Sequence, residues 1–372
     1  MAIESSGPIS ARAAAADDRN ASGGGRAVGP SHIVVQACGV GIRIESSSTG
    51  LLEELKEDFA HFAATKDAKC GITISARLEP PGHALLKGAH RLINTSKWTV
   101  FKTPAGTRAV YYPEGLLCEY DYGLEAGRLS SEDPALLHEI AYLLILSRLG
   151  EKLDLQGLHR IHAAAVEFKG VGAIMTAAVG VGKTTLLLEL ARDPDFTPLA
   201  NDTPLVDSRG NIHPFPLRVG IAEGSPFLAR FPKDALRPFK RRHYPLKYLV
   251  SPSRLSPNIP GETRCGELFL LKRSAGAPLI KEVGKPRAAV ELLNSLVMGR
   301  GVPQIAEYFL RPELSDLPGK TRIVRGRLAA ALALLKNCGV FYFYLSPEPE
   351  LNARALKLFL SRRRSGNGPL RR

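Results

Sequence analysis

Residues 171–192, VGAIMTAAVGVGKTTLLLELAR, constrain this chain more than any other stretch. Val171 to Ala177 is a run of small and branched apolar residues with the character of a buried strand. Lys183 to Arg192 is a strong helix former, and the turn between the two is rich in glycine. In a strand, glycine-rich turn and helix joined directly, the N–H groups of the turn and of the helix N-terminus converge on one point, where they can cradle phosphate oxygens. Gly180 and Gly182 let the main chain approach a phosphate with no Cβ in the way, and Val181 lies between them. Lys183 brings a mobile charge to the terminal phosphates. Thr184, in the first helical turn, offers a hydroxyl to Mg2+, and Thr185 is a helper or helix surface. The usual pattern, G-x-x-x-x-G-K-[ST], has glycine where this chain has Ala177. Alanine serves there if its φ is negative, because only a positive φ demands glycine.

Such a loop calls for a second strand that ends in a carboxylate. The stretch TPLANDTPLVD supplies Asp202 nineteen residues after Lys183, which leaves room for the helix, a turn and a returning strand parallel to the first. Asn201-Asp202-Thr203-Pro204 is also good turn chemistry, so a plain turn is the competing reading. Upstream, His162 opens the run HAAAVEFKGVGAIMT, in which FKGVG has the composition of a hairpin turn. That hairpin would fold His162 back beside the phosphates, although a histidine near apolar runs is commonly a satisfied core residue.

The rest of the chain sets the frame. Its 372 residues exceed what one core normally supports, so two folded units and tails are expected. Residues 1–30 are rich in Ala, Ser and Gly and read as a disordered leader without a secretory or transit signal. From His32 to about Tyr122, short apolar runs alternate with turn residues, with one helical insert, LLEELKEDFAHFAAT, which points to a mixed β-rich domain over 31–150. Asp133-Pro134 opens a helix that Gly150 is expected to end, and that helix leads into the second unit. Residues 151–350 are expected to alternate strands and helices, and 351–372 to form a helix and basic tail. The fold class expected is therefore α/β, with the phosphate loop in the second unit.

Five scattered cysteines without a C-x-x-C pair fit neither a disulfide framework nor a zinc site, and a reducing cytoplasm is the simplest compartment. No apolar run approaches the roughly 18 residues of a membrane span. The net charge of +14 is concentrated between Arg230 and Lys247 and among Arg362, Arg363, Arg364, Arg371 and Arg372. Such stretches are ordinarily a solvated loop and tail. Beside a phosphate site, a basic loop would also steer an acidic partner. No recognition motif for nucleic acid appears.

Together these residues resemble the P-loop kinases related to HPr kinase/phosphorylase, a group that includes the phosphoenolpyruvate carboxykinases. The resemblance runs over about Leu158 to Ala222, through His162-Ala-Ala-Ala-Val, EFKGVGAIMT, AAVGVGKTT, LANDTPLV and GNIHPFPLRVGI. It weakens from GELFLLKRS to GVFYFYL and is absent from the first 150 residues. It implies a kinase that uses ATP and Mg2+ to phosphorylate a serine-type hydroxyl of a protein or peptide. In that reading the nucleotide-binding residues are Gly180, Val181, Gly182, Lys183, Thr184 and Thr185, the catalytic residues are Asp202, His162 and Lys183, and the metal ligands are Thr184 and Asp202. Lys247 or Arg264 would stabilise charge on the transferred phosphoryl group, the competing reading of each being a solvated surface residue. Two departures stand out. Val179 replaces the usual loop serine, and Asn201 replaces the first of two paired acids. An amide there cannot take a proton, which keeps open a nucleotide-binding sensor or recruitment module. A small-molecule kinase would use the same loop. A homo-oligomer is compatible with the chain, whose sequence does not fix the oligomeric state.

Overall fold

The computed structural model describes residues 31–240, 245–256, 258–299 and 316–365. The leader over 1–30 and the end of the expected tail, with Arg371 and Arg372, lie outside these residues, as do Arg241 and Arg242. The described chain is mixed α/β, with two mixed sheets of nine strands each and a small three-stranded sheet.

The first sheet runs in the order 63–64, 31–37, 40–46, 72–78, 126–131, 116–121, 108–112, 99–102, 90–94. Period-two patterning makes these strands. In Ile72–Leu78, for example, Ile72, Ile74 and Ala76 are buried, while Thr73 is exposed on the other face. Cys38 and Gly39, both at positive φ, make the tight turn of the first hairpin. Helix α1, Thr49–Asp58, begins at Ser48, whose hydroxyl accepts from the Leu51 N–H. It is shorter than the expected insert, because Ala60–Phe62 form a 3-10 turn and Ala63–Ala64 a short edge strand.

Helix α2, Pro134–Leu155, starts as expected, with the Asp133 carboxylate accepting from Ala135 N–H at 2.9 Å. It does not stop at Gly150. That glycine sits inside the helix because the Arg160 guanidinium packs where its Cβ would be. Glycine here serves close packing, not termination. The expected boundary at residue 150 therefore falls within a continuous helix, and the core around α2 reaches Leu205 and Phe215 of the second half.

The second sheet runs 159–160, 205–206, 211–213, 263–273, 171–176, 163–168, 196–200, with 339–345 paired to the later part of 263–273 and 279–282 paired to 339–345. Lys169 and Gly170, both at positive φ, turn the expected hairpin between Ala163–Phe168 and Val171–Thr176. Strands 171–176, 263–273 and 339–345 are mutually parallel. Strand 196–200 pairs antiparallel with 163–168, so it runs in the direction of the loop strand with one strand between them.

Helices cover both faces of this sheet. On one face, Leu186 and Leu187 of α3, Lys183–Leu190, pack with Leu356 and Leu360 near Met175 and Phe343. On the other, Ala288 and Leu292 of α4, Lys285–Leu292, and Leu334 of α5, Leu317–Asn337, cover Ile174 and Leu268. Leu356 and Leu360 belong to α6, Pro349–Arg364, so the expected division at 350 also cuts a helix that is part of this core.

The regular alternation of strands and helices is not observed throughout. Between Ala191 and Glu282 the described residues hold strands and 3-10 turns but no α-helix. Prolines recur here, among them Pro198, Pro204, Pro214, Pro216, Pro226, Pro232 and Pro238, and each removes an N–H a helix needs. This segment builds the three-stranded sheet of Val219–Ala222, Lys247–Val250 and Arg237–Phe239.

The basic stretches are less solvated than their composition implies. Arg230 pairs with Glu189 at 2.6 Å, Arg237 with Asp58, and Arg363 with Glu267 at 3.0 Å. Among the described residues, no helix is long and apolar enough to cross a membrane.

Candidate functional site

The loop between strand 171–176 and α3 has the shape its glycines allow. Gly180 and Gly182 have φ of 84° and 127°. A Cβ at Gly180 would meet nothing, so its glycine answers to conformation and not to crowding. The non-glycine residues at positive φ are Cys38, Glu125 and Lys169, and Ala177 is not among them. The missing glycine is therefore not required by the backbone. Val181 N–H reaches Ala178 O at 3.4 Å, and Arg273 donates to Gly180 O, bracing the loop from strand 263–273. Gly182 caps α3 without a side-chain bond, and no acidic residue occupies the first turn, so the positive end of the helix stays open. Val179 is exposed and points away from the core.

Lys183 is buried, and its Nζ donates to Ala177 O at 2.8 Å and to His162 Nε2 at 3.0 Å. His162 is held at its backbone, its N–H donating to Ser295 O at 3.1 Å and its carbonyl accepting from Thr176 Oγ1 at 3.2 Å. The next N–H, of Ala163, donates to Asp202 O at 3.0 Å, which clips the carboxylate-bearing turn to the hairpin. His162 Nδ1 lies 3.2 Å from Asp202 Oδ1, a charge contact whose direction is too poor for a hydrogen bond, so Nδ1 is buried with no hydrogen-bond partner.

An ammonium only donates, so Nε2 must be the accepting nitrogen and the ring proton of neutral His162 sits on Nδ1, facing Asp202. Burial lowers the His162 pKa, with the Lys183 charge lowering it further and Asp202 opposing. Burial also lowers that of Lys183, against the pull of Asp202. Asp202 itself is half-exposed. Beside it, Asn201 Oδ1 is likewise buried with no hydrogen-bond partner.

His162, Lys183, Asn201 and Asp202 line one cleft of about 660 Å3, a size typical of small-molecule sites. Its near end holds Gly180, Gly182, Lys183, Thr184 and Thr185, with His162, Asn201 and Asp202 alongside. Its lining also includes Tyr142 of α2, Arg218, which immediately precedes the three-stranded sheet, and Phe239 and Lys247 within that sheet. Arg218 lies between two rings, 3.9 Å from that of Tyr142 and 4.4 Å from that of Phe239, and its Nη1 donates to Asp58. Burial raises the Tyr142 pKa to about 12, so its hydroxyl stays protonated.

The structure thus brings Gly180, Gly182, Lys183, Thr184, Thr185, His162 and Asp202 to one cavity, with Val181 packed beneath the loop. Lys247 joins them, and Arg264 is not among the residues lining the cavity. Arg273, Tyr142 and Arg218 escaped the sequence reading. Arg218 and Arg273 left a trace only as cations within the quoted GNIHPFPLRVGI and GELFLLKRS. A further group of ligand-type atoms, from Asp207, His213 and Glu262, lies within 4.8 Å of one another outside this cleft. Its polar atoms largely satisfy one another, Asn211 bridging Asp207 and Glu262.

Lys183, Thr184 and Asp202, with the open N-terminus of α3, are the groups of this cleft that could hold a triphosphate and its metal. The open helix N-terminus and the buried ammonium adjoin the same cleft. Neither the protein-family models nor the curated proteins compared with this chain match it.

Proposed function

We propose that this protein is a phosphotransferase that moves the γ-phosphoryl group of ATP to a serine-type hydroxyl, in the manner of the HPr kinase-related enzymes. The observation that carries this reading is the chain Asp202–His162–Lys183, which ends inside the phosphate loop. Lys183 can exchange its bond to Ala177 O for a phosphate oxygen while His162 keeps it aimed. Gly180, Gly182 and the first turn of α3 present N–H groups to the same phosphates. Bound through Thr184 and Asp202, Mg2+ supplies neutralisation of the charge on the β- and γ-phosphates. Asp202 positions the acceptor hydroxyl. The hydroxyl oxygen bonds to the γ-phosphorus as the bond from that phosphorus to the bridging oxygen breaks, the electron pair leaving on ADP. The hydroxyl proton passes to the Asp202 carboxylate.

The test is transfer from γ-labelled ATP to candidate acceptors. Lys183→Ala is expected to weaken nucleotide binding tenfold to about a hundredfold, by loss of a charged hydrogen bond. Asp202→Asn is expected to lower transfer by about 10²–10⁴ while nucleotide still binds. The unprotonatable Asn201 favours one other reading, a nucleotide-dependent recruitment module. ATP bound tightly with no phosphate moved to any acceptor would select it.

A further inference from the structure

Resting on this phosphotransferase reading, we infer that the part of the cleft lined by Arg218 and Lys247 is an anion subsite, and that the acceptor is a small alcohol bearing a carboxylate or phosphate group. Lys183 serves the nucleotide and Asp202 the hydroxyl. Of the remaining charged residues lining the cleft, three are cationic, Arg160, Arg218 and Lys247, and one is acidic, Glu139. Arg160 is packed against α2 at Gly150 and its charge acts on Asp154, which leaves Arg218 and Lys247 as the cations of the subsite.

Arg218 is the centre of the subsite. Its side chain is only 8% exposed, and its Nη1 donates to Asp58. The Tyr142 hydroxyl is also within hydrogen-bonding reach of this guanidinium, and Arg218 lines the cleft. The carboxylate of Asp58 is also shared with Arg237 and His138, so one buried negative charge faces two guanidinium groups. Glu54 and Glu57 contact this group from the exposed side, away from burial. Tyr142 and Phe239 fix the plane of the guanidinium, which presents a fork suited to a carboxylate or phosphate. Lys247, exposed and without an ion pair among the described residues, lies across Gly220 on the same wall. Leu143, Leu146 and Phe215 complete an apolar surround, in which such a charge contact is stronger than in open water. A wall made by α2 and locked by a buried ion cluster suits a compact acceptor better than the surface of a folded protein. The covalent step is the one given above, yielding ADP and the phosphate monoester of the acid.

The experiment uses the full chain loaded with Mg2+ and a non-hydrolysable ATP analogue. Calorimetry follows binding of four probes: D-glycerate, glycerol 3-phosphate, glycerol and a neutral serine peptide amide. At least one anionic probe is expected to bind tenfold or more tightly than glycerol, and which of the two does so separates carboxylate from phosphate. Lys247→Ala and Arg218→Gln are expected to weaken that probe by about tenfold. Lys247 is exposed, so its variant keeps the test valid where the buried Arg218 change fails to fold. The inference is overturned if the loaded protein binds neither anion, if it binds glycerol or the peptide amide equally well, or if Lys247→Ala leaves the preferred anion unaffected. Failure of the nucleotide itself to bind is read in the loading step. It would defeat the phosphotransferase reading and this one with it, through a different signal.

Discussion

Ala177 shows how little of a phosphate loop depends on any one glycine. The working group at this position is its carbonyl, which holds Lys183, and the backbone there does not adopt positive φ. Ala177→Gly is therefore expected to leave the dissociation constant of Mg-ATP within about twofold. It should lower stability by about 0.4–1 kcal/mol through the greater freedom of the unfolded chain. Calorimetry and urea melts on the same preparation check both halves. Gly182→Ala is the contrasting case, because φ of 127° is strained for a side chain, at about 1–3 kcal/mol, and the strain falls where main-chain amides must converge. A matching loss of nucleotide affinity is expected, and unchanged binding by that variant would show that the loop does not use those amides. The loop residues were legible in the sequence because their geometry is local. His162 and Asp202 were legible one step further out, since a single hairpin and one returning strand bring them together. Arg218 was not, because its partners, Asp58 and Tyr142, lie far away in the chain and no spacing rule connects them.

At the level of elements, α2 carries the clearest difference between pattern and structure. Proline at its start and glycine near its end are ordinary punctuation, and only the start behaves that way. Gly150 is occupied from outside by Arg160, which follows the helix and donates to Leu146 O at 3.0 Å. A sequence window cannot see a side chain that returns from the next element to fill the space of a missing Cβ. Gly150→Ala makes the point measurable. On an open helix face the change would stabilise by about 1 kcal/mol. Here the collision with a fully buried guanidinium is expected to win, with a net loss of about 1–3 kcal/mol from overpacking. Thermal or urea denaturation decides the sign, and a stabilised variant would mean that Arg160 relaxes freely. Strands were read best where one face is buried and the period is two. Ala126–Ser131, AGRLSS, has no such pattern and was missed, yet it is central in the first sheet.

Across the whole molecule, one place where the first sheet with its helices meets the second half is a buried carboxylate. Asp58, the last residue of α1, bonds His138 of α2 at 2.7 Å, Arg218 just before the three-stranded sheet and Arg237 within it. Three segments that are distant in sequence are thereby fixed around the part of the cleft that Arg218 lines. Burial pushes the Asp58 pKa up, but the bonds from His138 and Arg218 and the Arg218 charge prevail, and the net direction is down from 3.8. A carboxyl lowered on folding binds fewer protons folded than unfolded. Its contribution to stability is complete above 3.8 and drains away as the pH falls from there through the folded value. The native protein is thus expected to lose stability through this group only in that acid window. Asp58→Asn, which leaves two guanidinium groups without their buried counter-charge, is expected to cost about 3–5 kcal/mol at neutral pH and to flatten the acid limb. The same variant should loosen the wall that carries Arg218 and so weaken binding of the anionic alcohol. Urea titrations of both proteins from pH 7 down to acid read the first effect, and calorimetry of the nucleotide-loaded variant reads the second. Equal stability of the two proteins at neutral pH would mean that the ion cluster is incidental to how the halves are held.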